Sequence, residues 1–259
     1  MPTRGTAPQG APCWIDLATS DPVQARDFYG QLFGWTFDGG DEYTYCLRNG
    51  SRAAGIVQNS PDSGYPDGWT TYFATTDAEE TAALADDSGG QSVRAPLEIP
   101  MTGTTGLLVD PGGALLGTWQ AREHSGYQLL DEPGTVVWHE LITRHYQASV
   151  LFYETVFGWT TKVESDTDDF QYTTAEFDGV PLAGIMDGTR DLIEDTPARW
   201  DVYFGTDDVD KLASLATSLG GSVTDAPEDS SYGRFAGLAD PTGAQFKVMT
   251  PSEWQLRTP

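Results

Sequence analysis

The stretch FYGQLFGW at residues 28–35 returns as FYETVFGW at residues 152–159. A repeat at fixed spacing constrains a chain more than any composition does, because it fixes how many times one supersecondary unit is used. The echo extends in order through four further pairs: WIDL (14–17) with WHEL (138–141), AAGI (53–56) with LAGI (182–185), YFATTD (72–77) with YFGTDD (203–208), and DPGGA (110–114) with DPTGA (240–244). The offset drifts from 124 to 130, so the second copy carries a few extra loop residues.

Each copy reads the same way. CWIDL alternates and is rich in β-formers, which predicts a strand. Ser20 and Asp21 precede Pro22 as a helix start. Ala25, Phe28, Tyr29, Leu32 and Phe33 recur at helical spacing before Gly34 stops the helix. EYTYCLR and RAAGIVQ flank Asn49-Gly50, a hairpin turn. The order then restarts with GWTTYFATT, the helix DAEETAALADDSGG, and the strands QSVRAPLEI, GTTGLLVD and ALLGTWQ. The expected fold class is therefore α+β, with βαβββ units used four times in two modules, 11–122 and 134–252. HSGYQLLDEPG (124–134) reads as the linker. The first helix of each copy is expected to pack Phe28, Leu32, Phe152 and Val156 on its own sheet.

A βαβββ pair with FY…LFGW in its first helix and DPxGA before its last strand resembles the vicinal oxygen chelate superfamily. That group includes glyoxalases, bleomycin-resistance proteins and extradiol dioxygenases. The nearest likeness is to a two-module actinobacterial antigen and hydroxylase subgroup that accompanies antibiotic metabolism. The resemblance implies curved mixed sheets enclosing cups, and in metal-dependent members a divalent ion in the cup. The ligand positions it implies fall here on Trp14, Thr71 and Gly117, and on Trp138, Asp201 and Lys247. Indole has no lone pair to offer a metal. A lysine ammonium repels one. Of the three histidines, His139 lies one step off the ligand position, His145 at a helix start and His124 in the linker, all expected at surface or structural places. No metal and no cofactor is expected.

Strand alternation then names the inward positions. Asp16 and Glu140 are the candidate catalytic acids. Trp14, Tyr45, Thr71, Phe73 and Trp119 are expected to line the first cup, and Trp138, Tyr172, Asp201, Tyr203, Lys247 and Met249 the second. Lys247 is expected to pair with Asp201 or Glu140, because a buried carboxylate needs a cation, donors or water. Thirty-nine acids against 14 bases give a charge of −25, which repels nucleic acid and anionic membranes. Two cysteines make no disulfide framework. No apolar run is long enough for a membrane span, and residues 1–12 read as a short flexible tail without a signal peptide's apolar core. The expectation is a cytoplasmic, metal-independent protein, monomer or homodimer, binding an aromatic or cationic small molecule as an accessory to antibiotic resistance or biosynthesis. The alternative is a lyase, isomerase or hydroxylase-like enzyme using Asp16 or Glu140 as general base.

Overall fold

The computed structural model describes residues 7–40 and 42–251. The first half runs β1 (Pro12–Thr19), α1 (Pro22–Phe33), β2 (Thr36–Gly39), β3 (Tyr43–Arg48), β4 (Ser51–Gln58), β5 (Gly68–Ala74), α2 (Ala78–Asp87), β6 (Gln91–Ile99), β7 (Gly103–Val109) and β8 (Leu115–Ala121). The second half repeats it: β9 (Val136–Thr143), α3 (Tyr146–Phe157), β10 (Thr160–Asp166), β11 (Gln171–Phe177), β12 (Val180–Asp187), β13 (Arg199–Gly205), α4 (Val209–Ser218), β14 (Ser222–Ser230), β15 (Gly233–Ala239) and β16 (Gln245–Pro251). Each half is one curved eight-stranded sheet, ordered β2-β3-β4-β1-β5-β8-β7-β6 and β10-β11-β12-β9-β13-β16-β15-β14. The sheets are mixed, since β1 runs parallel to β4, and β5 to β8, with the same pairs repeated in the second half. The expected α+β fold of four βαβββ units in two modules is thus present, with β2 a strand too short to read from the sequence.

Local signals act as predicted. Asp21 caps α1 by accepting from the Gln24 N–H, and Gly34 ends it in the left-handed region at φ 69°. Asn49 and Gly50 both take positive φ, as a tight β3–β4 hairpin requires.

The repeated motif packs on its own sheet as expected, Phe28 and Leu32 with Ile15, Leu17 and Ile56, and Phe152 and Val156 with Leu141, Ala183 and Ile185, but it also packs across the module boundary. Each large apolar cluster draws on both halves. One joins Phe28 and Phe33 of α1 to Phe204, Ala213, Leu238 and Phe246 of the second half. The other joins Phe152 and Phe157 of α3 to Phe73, Ala82, Leu108 and Leu116 of the first. Each helix thus packs on its own sheet and against the other module, so the two modules share their cores.

The polar members of the motif fasten the same interface. Tyr29 donates to Asp240 at 3.1 Å and accepts from the Trp69 indole, while the Trp35 indole donates to the Gly134 carbonyl at 2.7 Å. In the second copy Tyr153 donates to Asp110 and accepts from Trp200, and Trp159 donates to the Gly10 carbonyl. Asp110 and Asp240 are the aspartates of the two DPxGA stretches, and each also accepts the N–H of its loop's Ala114 or Ala244. FYxxxFGW of one module is therefore locked to DPxGA of the other, twice. Part of the expected N-terminal tail belongs to this clasp, since Gly10 also bonds Ala74. Residues 1–6 of that tail lie outside the described residues. Among the described residues no helix is long and apolar enough to cross a membrane.

Candidate functional site

On the concave face of the first sheet, β1 presents Trp14 and Asp16 while Ile15 and Leu17 face the helices. Asp16 is 9% exposed. Its Oδ1 accepts from the Trp14 indole at 2.8 Å and from the Tyr43 hydroxyl at 2.6 Å. The Tyr72 hydroxyl is a further donor to the same carboxyl. Gly55 on β4 lies below them, and a Cβ there would overlap the Tyr43 hydroxyl and Asp16 Oδ1. Gly117 on β8 makes room for the Tyr72 ring in the same way. Burial pushes the Asp16 carboxyl above the usual carboxylate range, opposed by its Tyr43, Trp14 and Tyr72 donors.

The second cup repeats the device with a longer acid. Glu140 accepts from Tyr172 at 3.0 Å and Tyr203 at 2.6 Å, and the Trp138 indole donates to Tyr172. Burial raises the Glu140 carboxyl as well, with the Lys247 charge the main opposing influence. Lys247 Nζ stands 3.4 Å from Asp201 Oδ2, as expected, and Arg199 pairs with Asp201 Oδ1 at 2.9 Å. Asp201 Oδ2 has no aligned hydrogen bond. The Lys247 contact is thus a point-charge attraction, not a directed bond. Met249 packs with Trp138, Tyr172 and Tyr203.

Two expected cup residues lie elsewhere. Register pairs Trp14 with Tyr72 and Asp16 with Thr70, so Thr70 and Tyr72 face the cup. Thr71 and Phe73 face the opposite side: Thr71 bonds the His139 ring at 3.0 Å, and Phe73 packs on Phe157, Tyr153, Trp159 and Trp200. A one-residue slip along a strand moves a side chain to the other face. Aligning YFATTD with YFGTDD sets Tyr72 beside Tyr203, and EYTY against QYTT sets Tyr43 beside Tyr172. That internal alignment is the signal that finds both missed tyrosines. His139 faces away from the cup as expected, and Tyr127 also meets its ring.

His124 is the residue that no sequence signal placed. It is 5% exposed, wedged among Trp14, Tyr45 and Trp119 at ring separations of 4.5, 5.5 and 5.3 Å. Burial, then the Arg52 charge, lowers its pKa to about 4 from 6.5. An imidazole held neutral in the folded chain loses stability for it as pH falls from 6.5 toward 4, because the unfolded chain takes up the proton first. Asp16 and Glu140, raised on folding, act with the opposite sign, so a variant must isolate the imidazole. The stability advantage of the parent over His124→Gln should shrink by about 3 kcal/mol between pH 6.5 and pH 4. Urea unfolding at stepped pH measures this, and a constant difference would show that His124 does not titrate this way.

The cup positions do not suit a divalent ion. With the register corrected they are Trp14, Thr70 and Gly117 in the first cup, and Trp138, Asp201 and Lys247 in the second. Both indoles already donate to cup oxygens. Among the described residues no three His, Cys, Asp or Glu side chains are grouped to hold a metal.

Residues 13–144 match the Glyoxalase/Bleomycin resistance protein/Dioxygenase superfamily, and residues 136–249 a Glyoxalase-like domain. The chain is 36% identical over 264 residues to the CFP32 protein of Mycobacterium tuberculosis (98% of this chain, 100% of that one). It is 31% identical over 262 residues to the anthracycline biosynthesis protein DnrV of Streptomyces peucetius, covering 93% of each. The fold is shared with the Mn(II)-bound glyoxalase from Novosphingobium aromaticivorans, at TM-score 0.65 and 16% identity, covering 93% of this chain and 82% of that one. It is shared equally with the 2,3-dioxygenase LapB from Pseudomonas sp. KL28, at TM-score 0.65 and 15% identity, covering 95% and 94%. Repeated βαβββ modules, the cups they enclose and these likenesses together place the chain in the glyoxalase/bleomycin resistance protein/dioxygenase superfamily.

Proposed function

We propose that the protein binds an aromatic small molecule without a metal, as an accessory to making or resisting an antibiotic. The observation that carries this is the floor of each cup. A tryptophan, an acid and two tyrosines form a hydrogen-bonded group there, and the tryptophan stands at a strand position where a metal-dependent relative would place a ligand. Flat ring faces then supply the binding surface. The pairing with an anthracycline biosynthesis protein supports an aromatic ligand over a simple aliphatic one. The phenols bonded to the acids hold their protons well above the ordinary tyrosine range, because burial and the neighbouring carboxyl both disfavour phenolate. They therefore suit hydrogen bonding more than proton abstraction.

The raised Asp16 and Glu140 carboxyls are what favours the second reading, an enzyme using one of them as general base. Protein treated with chelator should bind hydroxylated fused-ring compounds saturably by calorimetry and carry no stoichiometric Zn, Ni, Mn or Fe. One transition metal per chain, with binding lost on chelation, would overturn metal independence. Turnover of the methylglyoxal–glutathione adduct would favour the enzyme.

A further inference from the structure

We infer that the first cup is the ligand site, and that its ligand is an aromatic compound bearing a negative charge, a carboxylate or a phenolate, seated at the mouth of the cup against Tyr45 with its charge on Arg52. This rests on the reading of the protein as a small-molecule binder and adds which cup and which charge.

The first observation is a cation without an acid. Arg52 lies 4.0 Å over the Tyr45 ring and forms no ion pair among the described residues. Stacking fixes the guanidinium plane and leaves its N–H edge for a planar anion. Arg94 on edge strand β6 adds a second cation. It pairs in register with Leu107, which pairs with Gly117 of the cup face, and it too has no ion pair among the described residues.

The second observation is an apolar lip. Leu97 pairs through Thr105 to Trp119, and so stands on the cup face, 56% exposed. Ile99 follows two residues on, and Met101, 66% exposed, closes the β6–β7 turn. Three exposed apolar side chains beside one opening suit a ring system that extends out of the cup.

The repeat supplies the control. Register places Pro181 where Arg52 stands, Asp225 where Arg94 stands, and Glu228 and Ser230 where Leu97 and Ile99 stand. The same scaffold thus carries a basic, apolar lip on one cup and an acidic lip on the other. The second cup's cation, Lys247, is already paired with Asp201. The third observation is His124. Its Nδ1 accepts from the Gly126 N–H, so the neutral ring carries its proton on Nε2, and that buried nitrogen has no hydrogen-bond partner. A donor left unpaired in the aromatic wall calls for an acceptor. Trp14, Tyr43 and Tyr72 enclose Asp16 at the floor, and its burial favours the uncharged carboxyl, which weakens its repulsion of an anion.

The test uses one ring with two charges, 2-naphthoate and 2-naphthylmethylammonium, titrated calorimetrically into the full chain. Naphthoate should bind about tenfold more tightly than the ammonium compound. Arg52→Gln should weaken naphthoate about tenfold, Arg52→Lys should recover part of that, and neither should weaken the ammonium compound. Arg94→Gln, at an exposed lip position, should weaken naphthoate by a smaller factor and serves if Arg52→Gln fails a circular-dichroism check of folding. Equal or tighter binding of the ammonium compound, or naphthoate binding indifferent to both arginines, overturns this inference while leaving a small-molecule binder. Absence of saturable binding by either compound at millimolar concentration overturns both.

Discussion

Phe204→Ala should destabilise the entire chain by about 3–5 kcal/mol, not the second module alone. Phe204 is fully buried. Its ring meets Phe33 at 4.8 Å, Trp69 at 5.4 Å and Trp35 at 5.8 Å, all from the first module, besides Phe246 of its own at 5.8 Å. Truncation would open a cavity in a cluster whose members come from both halves, and close-packed aromatic neighbours on all sides relax little into such a space. Denaturant unfolding followed in parallel by near- and far-ultraviolet circular dichroism should show one transition, moved to lower denaturant with its slope unchanged. Two separated transitions, with only one moved, would mean that the modules fold independently and that the cross-module clasp contributes little.

Lys247→Ala should cost roughly 3 kcal/mol. The ammonium is mostly buried, 3.4 Å from Asp201, whose side chain is 8% exposed. Its charge is also the main influence that keeps the Glu140 carboxyl from rising further. Removing it leaves two nearby acids in one cup with Arg199 as the remaining cation, and Arg199 reaches only Asp201. The penalty belongs to the exposed imbalance of charge more than to the lost pair, since a buried ion pair gives little net stability by itself. Two measurements check this. Thermal or urea unfolding should show the loss. Carbon-detected titration of Glu140 should show its pKa move upward in the variant. A variant as stable as the parent, with Glu140 unmoved, would mean that the cup admits enough water to screen the group.

The sequence by itself determined the number of units, their order, the strand and helix types, the acid and tryptophan on each inner face and the lysine on the second. It did so because these rest on local physics. Helical and strand periodicities are written within ten residues, Asp21, Gly34 and Asn49-Gly50 act on their own backbone, and a carboxylate at an inward position is unusual wherever it occurs. The internal repeat served as an alignment of two sequences, and it carried the register on every strand where the matched letters were followed. Where counting replaced matching, on β5, the phase slipped by one and put Thr71 and Phe73 in the cup in place of Thr70 and Tyr72.

Only the tertiary structure decided what the repeated motif is for, and which side chains complete each cup. FYxxxFGW reads as an amphipathic helix for its own sheet. That it locks onto DPxGA of the other module depends on contacts between residues separated by 211 positions, as for Tyr29 and Asp240. No periodicity records a partner at that distance. His124 lies in a stretch with linker composition, yet the chain leaving β8 turns back over the first sheet and sets its ring among Trp14, Tyr45 and Trp119. Arg52 reads as an ordinary strand charge until the structure lays it over Tyr45 with no acid beside it. Backbone preference is local and was legible. The burial and pairing of a charge depend on what the folded chain brings to it, and that is settled only when the sheets curve and close on their helices.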